Sequence, residues 1–175
     1  VQCMQENLAE RLTEIMKKYH VAPSQINLEI TETAAAHSDM LENNIKILHK
    51  QGIEFSLDDY GSGYSNTDYL FRFPFRIVKI DKTILWEAFK NEKAMIALRN
   101  TIRMIKELGL EIVVEGVENQ EYVDYLTEQH CDYLQGYFYS KPIPDRDFLE
   151  LLRRENAQYY AERFSKNELS DIITT

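Results

Sequence analysis

The stretch Ile53-Glu54-Phe55-Ser56-Leu57-Asp58-Asp59-Tyr60-Gly61-Ser62-Gly63 decides how the chain folds. Its first half alternates apolar and polar residues with the period of a strand. Two acids stand at the end of that strand, just before a glycine-rich break. The same figure recurs on both sides. Upstream, Ile26–Ile30 reads as a short strand with Glu29 and Glu32 at its end; downstream, Arg76–Asp81 ends on Asp81. Glu111–Glu115 follows with Glu115 and Glu118, and Tyr133–Gly136 carries Gln135. Lys79 precedes Asp81 by two positions and so shares its strand face.

Helical periodicity fills the intervals. Leu8, Leu12, Ile15, Met16 and Tyr19 mark one face of a helix over 7–19, and Leu41, Ile45 and Leu48 one over about 39–50, with Gly52 as its stop. A short helix is expected over 66–71, a long one over 94–108, one over 120–129 capped by Asn119, and a last one from about 147. Strands that alternate with helices pair in parallel through right-handed crossovers. An open doubly wound sheet and a (β/α) barrel both satisfy that pattern, and the placement of the acids separates them.

The composition agrees with one packed domain. The chain has 175 residues, 44% of them hydrophobic, with 20 Lys+Arg against 29 Asp+Glu and a net charge of −9. It is neither disordered nor provided with the roughly 20-residue apolar run of a membrane helix. The negative balance argues against duplex nucleic acid, which needs a basic face. A small anion remains open to it, since cations can bridge acid to phosphate. Cys3 and Cys131 stand alone, without metal-ligand spacing or a disulfide framework, and His20, His37, His49 and His130 show no paired spacing. The first residues carry neither a secretory signal nor a lipidation motif. The expectation is a cytoplasmic domain over 1–164 with a polar tail over 165–175.

In a βα barrel the carboxyl ends of the strands converge on one mouth, where catalytic groups belong. Carboxylates gathered there repel one another unless cations sit among them, and oxygen ligands favour Mg²⁺, Mn²⁺ or Ca²⁺. Adjacent Asp58 and Asp59 suit two metals a few ångströms apart. Plainer readings stand beside these. Glu32 and Asp39 fit as helix-start acids, Asp58-Asp59 as turn chemistry, and Lys79 as a solvated strand-end charge. Gly61-Ser62-Gly63 reads as a tight turn rather than a phosphate cradle, being neither GxGxxG nor a Walker loop. Acids at four successive strand ends weaken the plain readings jointly. Two chemistries follow: metal-dependent hydrolysis of a phosphate ester, or an enolase-type proton abstraction by a strand-end lysine.

The segments LEITET (28–33), DDYGSGYS (58–65), VKID (78–81), VVEGVEN (113–119) and QGYFYSKP (135–142) closely resemble the EAL-domain family of cyclic-di-GMP phosphodiesterases. That family shows LExTE, DDFGTGYSS, LKID, VAEGVE and QGYxFSKP in this order and spacing. The resemblance implies a (β/α)₈ TIM-type barrel and a two-metal site for Mg²⁺ or Mn²⁺, with Ca²⁺ as a substitute or inhibitory ion. It implies Glu29, Asp58, Asp59 and Glu115 as metal ligands, and Lys79 on the attacking water or the substrate phosphate. Glu115 resembles the carboxylate proposed as general base, and Gln135 a residue that orders the site water. Glu32 and Glu118 resemble supporting acids, with Glu32 anchoring the loop that contains Gly61 and Gly63. Asp81 and Pro142 match positions toward the substrate. Tyr60, Ser62 and Val114 depart from the pattern, the last adding bulk beside Glu115.

The family's domain opens with strands carrying ExLxR and N-x-S, and neither stands ahead of LEITET (28–33) in these residues. The expectation is therefore an incomplete barrel, with about five or six of its eight strands present. Without the motif Glu, Asn and Arg, little hydrolysis is expected of the chain by itself. An open barrel exposes strand edges, so a homodimer or another covering chain is expected. Three functions follow: hydrolysis of cyclic-di-GMP to pGpG in bacterial signalling, a non-catalytic cyclic-di-GMP receptor or protein-interaction module, and an enolase-like lyase.

Overall fold

The computed structural model describes residues 7–35, 39–63 and 67–163. Cys3, His37, Asn66 and the expected tail over 165–175 lie outside the described residues. The chain divides into two compact units, one reaching Tyr139 and one beginning at Ser140.

The first unit is built on five parallel strands: β1 Asn27–Thr31, β2 Glu54–Tyr60, β3 Phe75–Ile80, β4 Glu111–Val114 and β5 Tyr133–Leu134. They lie side by side in chain order, β1-β2-β3-β4-β5. A doubly wound sheet reverses its strand order at a switch point; this one never does. The sheet is thus the arc of a barrel, and it is open among the described residues, with β1 and β5 as its edges.

Helices cover the outside: α1 Leu8–Tyr19, α2 Glu32–Ala35, α3 Asp39–Lys50, α4 Asp68–Arg72, α5 Lys82–Ala88, α6 Glu92–Glu107 and α7 Gln120–Glu128. Their apolar stripes supply Leu41, Ile45, Leu48, Leu85, Leu98, Ile102, Ile105 and Leu126 to a core shared with Ile30, Phe55, Leu57, Val78, Ile80, Ile112 and Val114 of the strands. The other strand face carries Asn27, Ser56 and Lys79 beside Ile77 and Val113, and Ser56 Oγ donates to Asn27 Oδ1 at 2.6 Å across β1 and β2.

Several boundaries differ from the sequence reading, each for a local reason. β2 runs on to Tyr60 rather than stopping at Asp58. α6 starts at Glu92, because the Asn91 side chain accepts from Lys93 N at 2.9 Å and caps the first turn. α5 is an additional helix, nucleated by Asp81, whose carboxylate accepts from Thr83 N at 2.9 Å and from the Thr83 hydroxyl. Asn119 caps α7 as expected, accepting from Tyr122 N at 3.0 Å.

Between α7 and β5, burial pushes the Cys131 thiol up to about 12, against a smaller opposing pull from Lys106. A thiol held that high is protonated and unreactive at neutral pH. Iodoacetamide at pH 8 should label Cys131 roughly 100-fold more slowly in the native chain than in urea, read by mass spectrometry of its peptide. Because the folded value lies above the ordinary 9.0, this group favours the fold below about pH 9, and the contribution is lost as pH rises toward 12.

The second unit contains α8, Asp145–Arg163, whose first turn is closed by Phe148 N donating to Pro144 O at 2.9 Å. Phe148, Leu149 and Leu152 on it are exposed. No helix among the described residues is long and apolar enough to cross a membrane.

Candidate metal centre

The centre lies at the carboxyl ends of β1 to β4 and is organised by an irregularity in β2. Leu57 is in register with Val78, and Tyr60 with Ile80, so Asp58 and Asp59 together stand opposite Lys79 alone. That is a β-bulge. In a regular strand adjacent side chains point to opposite faces, which would send one of the two acids away from the mouth. Here Asp59 takes the left-handed backbone conformation, φ 57°, and both carboxylates serve the same side. Aspartate, with its short polar side chain, tolerates that conformation better than most residues.

Lys79 stands at the middle. Its Nζ is 2.8 Å from Asp58 Oδ1, 2.9 Å from Glu115 Oε1 and 3.0 Å from Glu29 Oε1. Its side chain is 10% exposed, whereas that of Glu29 is 53% exposed, so the Glu29 leg is the screened one. Burial pulls the ammonium's proton affinity down, yet Asp58, Glu115 and Glu29 outweigh it and hold Lys79 above the usual lysine range. Asp58 Oδ1 is cut off from solvent and accepts no well-directed hydrogen bond, so its charge is met by the nearby ammonium as a point charge.

Asp58, Asp59 and Glu115 each offer a carboxylate oxygen, and these atoms lie within 4.8 Å of one another. Asp59 is raised above the usual carboxylate range, first by burial and then by Asp58 and Asp81, with Lys79 opposing. Glu29, Asp58, Asp59 and Glu115 bring four negative charges against the one of Lys79, an excess of 4 − 1 = 3. Hard oxygen donors, a buried oxygen without a directed partner, and excess negative charge are what a divalent cation requires. The residues fit Mg²⁺, Mn²⁺ or Ca²⁺.

The other expected positions fall around this centre in different ways. Glu32 is buried, and its Oε2 accepts from Gly61 N at 3.2 Å, tying α2 to the turn after β2. Its second oxygen has no hydrogen-bond partner among the described residues. Gly61 continues the turn at φ 88°, and Gly63 follows in open space. Asp81 is buried and engaged as the cap of α5. Gln135 uses its backbone, donating to Val114 O at 2.9 Å and accepting from Val117 N at 3.1 Å, while Glu118 is exposed. Pro142 is exposed and belongs to the second unit.

Two supports escape the sequence reading. Trp86 Nε1 donates to Gly116 O at 2.8 Å, fixing the backbone beside Glu115 from α5. Lys82 stacks over that indole at 5.6 Å. The Asp81-x-Thr83 pair was the available signal for α5; no local pattern announces the tryptophan's long-range bond.

Comparison with known proteins bears on this arrangement. The family model described as EAL domain matches residues 1–142. Cyclic di-GMP phosphodiesterase RocR of Pseudomonas aeruginosa is 34% identical over 145 residues, covering 82% of this chain and 37% of RocR. The EAL enzyme Bd1971, in its form bound to cAMP and cyclic-di-GMP, superposes with a TM-score of 0.82 at 25% identity, over 86% of this chain and 40% of that one. BlrP1 of Klebsiella pneumoniae, solved as a manganese and cyclic-di-GMP complex, superposes at 0.73 with 26% identity, over 79% and 36%. The chain thus spans less than half the length of each of the three.

Proposed function

The chain belongs to the EAL domain family, and from that premise we propose that it works as a cyclic-di-GMP phosphodiesterase domain, opening the cyclic dinucleotide to linear pGpG. The observation that carries the reading is the gathering of Asp58, Asp59 and Glu115 oxygens within 4.8 Å, next to Lys79. RocR carries this activity in its name, and BlrP1 was solved with manganese and the cyclic dinucleotide together. Both facts support the assignment to this chain.

In this reading Asp58, Asp59 and Glu115 hold Mg²⁺ or Mn²⁺, with Glu29 at the margin and Ca²⁺ as a substitute ion. When bound, such ions supply the positive charge that acidifies a water and neutralises the phosphodiester. Lys79 adds an ammonium next to the place where charge develops on the phosphate. Glu115 takes the proton of the attacking water. Gln135 orders that water, Glu32 anchors the turn through Gly61, and Glu118 supports the loop after β4. The unpaired edge of β1 among the described residues supports a homodimer or other covering chain. The signalling nucleotide supports a bacterial cytoplasmic location.

The test uses the purified chain and a chimera in which it replaces the matching segment of RocR. Each is incubated with cyclic-di-GMP and Mn²⁺, and pGpG is read by chromatography. The chimera should release pGpG, and EDTA should stop it; the chain alone should turn over slowly. A chimera that binds cyclic-di-GMP without cleaving it would make the domain a receptor instead.

A further inference from the structure

We infer that the cleft between the carboxyl-terminal half of α6 and the turn after α7 is a binding site for a small phosphate monoester. The cleft opens beside the turns that lead into β4 and β5, at the other end of the strands from the metal centre. The inference therefore stands apart from the phosphodiesterase reading.

Arg99, Ile102, Arg103 and Lys106 follow at i, i+3, i+4 and i+7 and share one stripe of α6. A stripe with that spacing is ordinarily apolar. Here only Ile102 is, and it lies buried among three cations. The acids of the chain outnumber its bases 29 to 20, so such a row is a local reversal of its charge. Gln129 and His130 form the facing wall. Lys106 Nζ donates to His130 O and joins the two walls. Burial raises the Tyr125 phenol of α7 and Arg99 opposes it, so that guanidinium also stands near α7.

The cleft encloses about 460 Å³, a volume suited to a small molecule rather than a polymer. Arg99, Arg103 and Lys106 set three positive charges against the one negative charge of Glu107. A phosphate monoester carries about −1.5 to −2 at neutral pH, which matches that excess. Guanidinium forks fit its oxygens in pairs. Arg99 makes no hydrogen bond or ion pair among the described residues. Arg103 is held by Glu107 at 2.8 Å, but the two side chains are 76% and 65% exposed. A pair so open to water is weak, and a phosphate can take the arginine from it at small cost.

The backbone carries a further sign. Gly52 and Gly109 take the left-handed conformation after α3 and α6, at φ 95° and 76°. After α1 and α7 the same place is held by His20 and His130, at φ 55° and 56°. A side chain there brings strain that glycine avoids. His130 is the one beside the row of arginines, where its exposed imidazole adds a donor to the rim.

The experiment uses the 175-residue chain in EDTA, with AMP as the probe and adenosine as its uncharged control. Two-dimensional NMR of backbone amides and arginine Nε–H groups reads the place of binding residue by residue. AMP should shift Arg99, Arg103, Gln129 and His130 and saturate with a Kd at or below about 1 mM, and adenosine should shift none of them. The double variant Arg99→Gln, Arg103→Gln should melt as the native chain does and bind AMP at least about tenfold more weakly, through loss of charge-assisted hydrogen bonds. His130→Gly removes strain and imidazole together. It should melt no lower than the native chain yet bind AMP about threefold more weakly. Shifts confined to Lys79 and the strand-end acids would place the phosphate at the mouth and overturn the inference. Equal binding of adenosine, or of succinate, would overturn the assignment to a phosphate. Native affinity in the double arginine variant would overturn the site itself, and native affinity in His130→Gly the part given to the histidine.

Discussion

Asp58→Asn separates function from stability: it should cost the centre its cation while leaving the fold in place. Asp58 belongs both to the oxygen cluster and to the set around Lys79. Removal of even an outer partner of a metal ligand costs roughly 10–100-fold in affinity. Loss of a ligand charge should therefore weaken Mn²⁺ binding by at least about 100-fold, with hydrolysis in the RocR chimera falling at least as far. Stability in EDTA should move by only about 1 kcal/mol in either direction, because Lys79 keeps two carboxylates and Asp59 loses its nearest repulsive neighbour. Calorimetric titration with Mn²⁺ and thermal melting in EDTA check the two halves independently. A variant that binds Mn²⁺ as the native chain does would remove Asp58 from the ligand set.

Gly136→Ala should produce the opposite pattern, a loss of stability from a residue that bears no chemistry. A Cβ at Gly136 would overlap the backbone N, C and O of Val117, the segment just after Glu115. Backbone cannot turn aside as a side chain does. The strands' carboxyl ends are also tied together there, by Val117 N to Gln135 O at 3.1 Å and Phe138 N to Val117 O at 3.0 Å. Overpacking of this kind costs about 3 kcal/mol. For a chain of this size that corresponds to a melting temperature lower by about 6–12 °C. Circular dichroism melts measure it directly, and a shift under about 3 °C would mean that the loop has room to retreat. Gly116 lies on the same loop at φ 72°, with Trp86 Nε1 only 3.1 Å from where a Cβ would stand.

The succession of strands and helices was legible because Phe55 and Leu57 alternate with polar residues, because Ile77-Val78 and Ile112-Val113-Val114 are short β-branched apolar runs, and because α3 and α6 are long enough to show a full apolar stripe. α5 was not, since its span is too short for a period to emerge and its stability comes from Asp81 and from docking Leu85 and Ala88 into the core. An acid at a strand end reads the same whether it faces the mouth, as Glu115 does, or caps the next helix, as Asp81 does. Only the backbone course distinguishes them. The strand order settled what the alternation of elements left open between barrel and doubly wound sheet. Asp58 and Asp59 were recognisable as a pair. The bulge that makes the pair useful was not, because a strand that bends and a strand that stops leave the same glycine-rich signature.

That bulge has a counterpart at the far end of the same two strands. Phe55 is in register with Phe75, and Ser56 with Ile77, so β3 carries one extra residue there, Arg76. Between Leu57 and Tyr60 it is β2 that carries the extra residue. The two offsets cancel, and the strands finish in step. Each offset holds a cation among acids: Arg76 pairs with Glu54 at 2.6 Å and Glu111 at 3.2 Å, Lys79 with Asp58 and Glu115. β3 is thus riveted to β2 and β4 at both ends by charge. A slip of one residue, about 3.3 Å, would part the pairs at both ends together. The sheet thus carries a charged marker of one and the same register at each rim, Arg76 at one and Lys79 at the other.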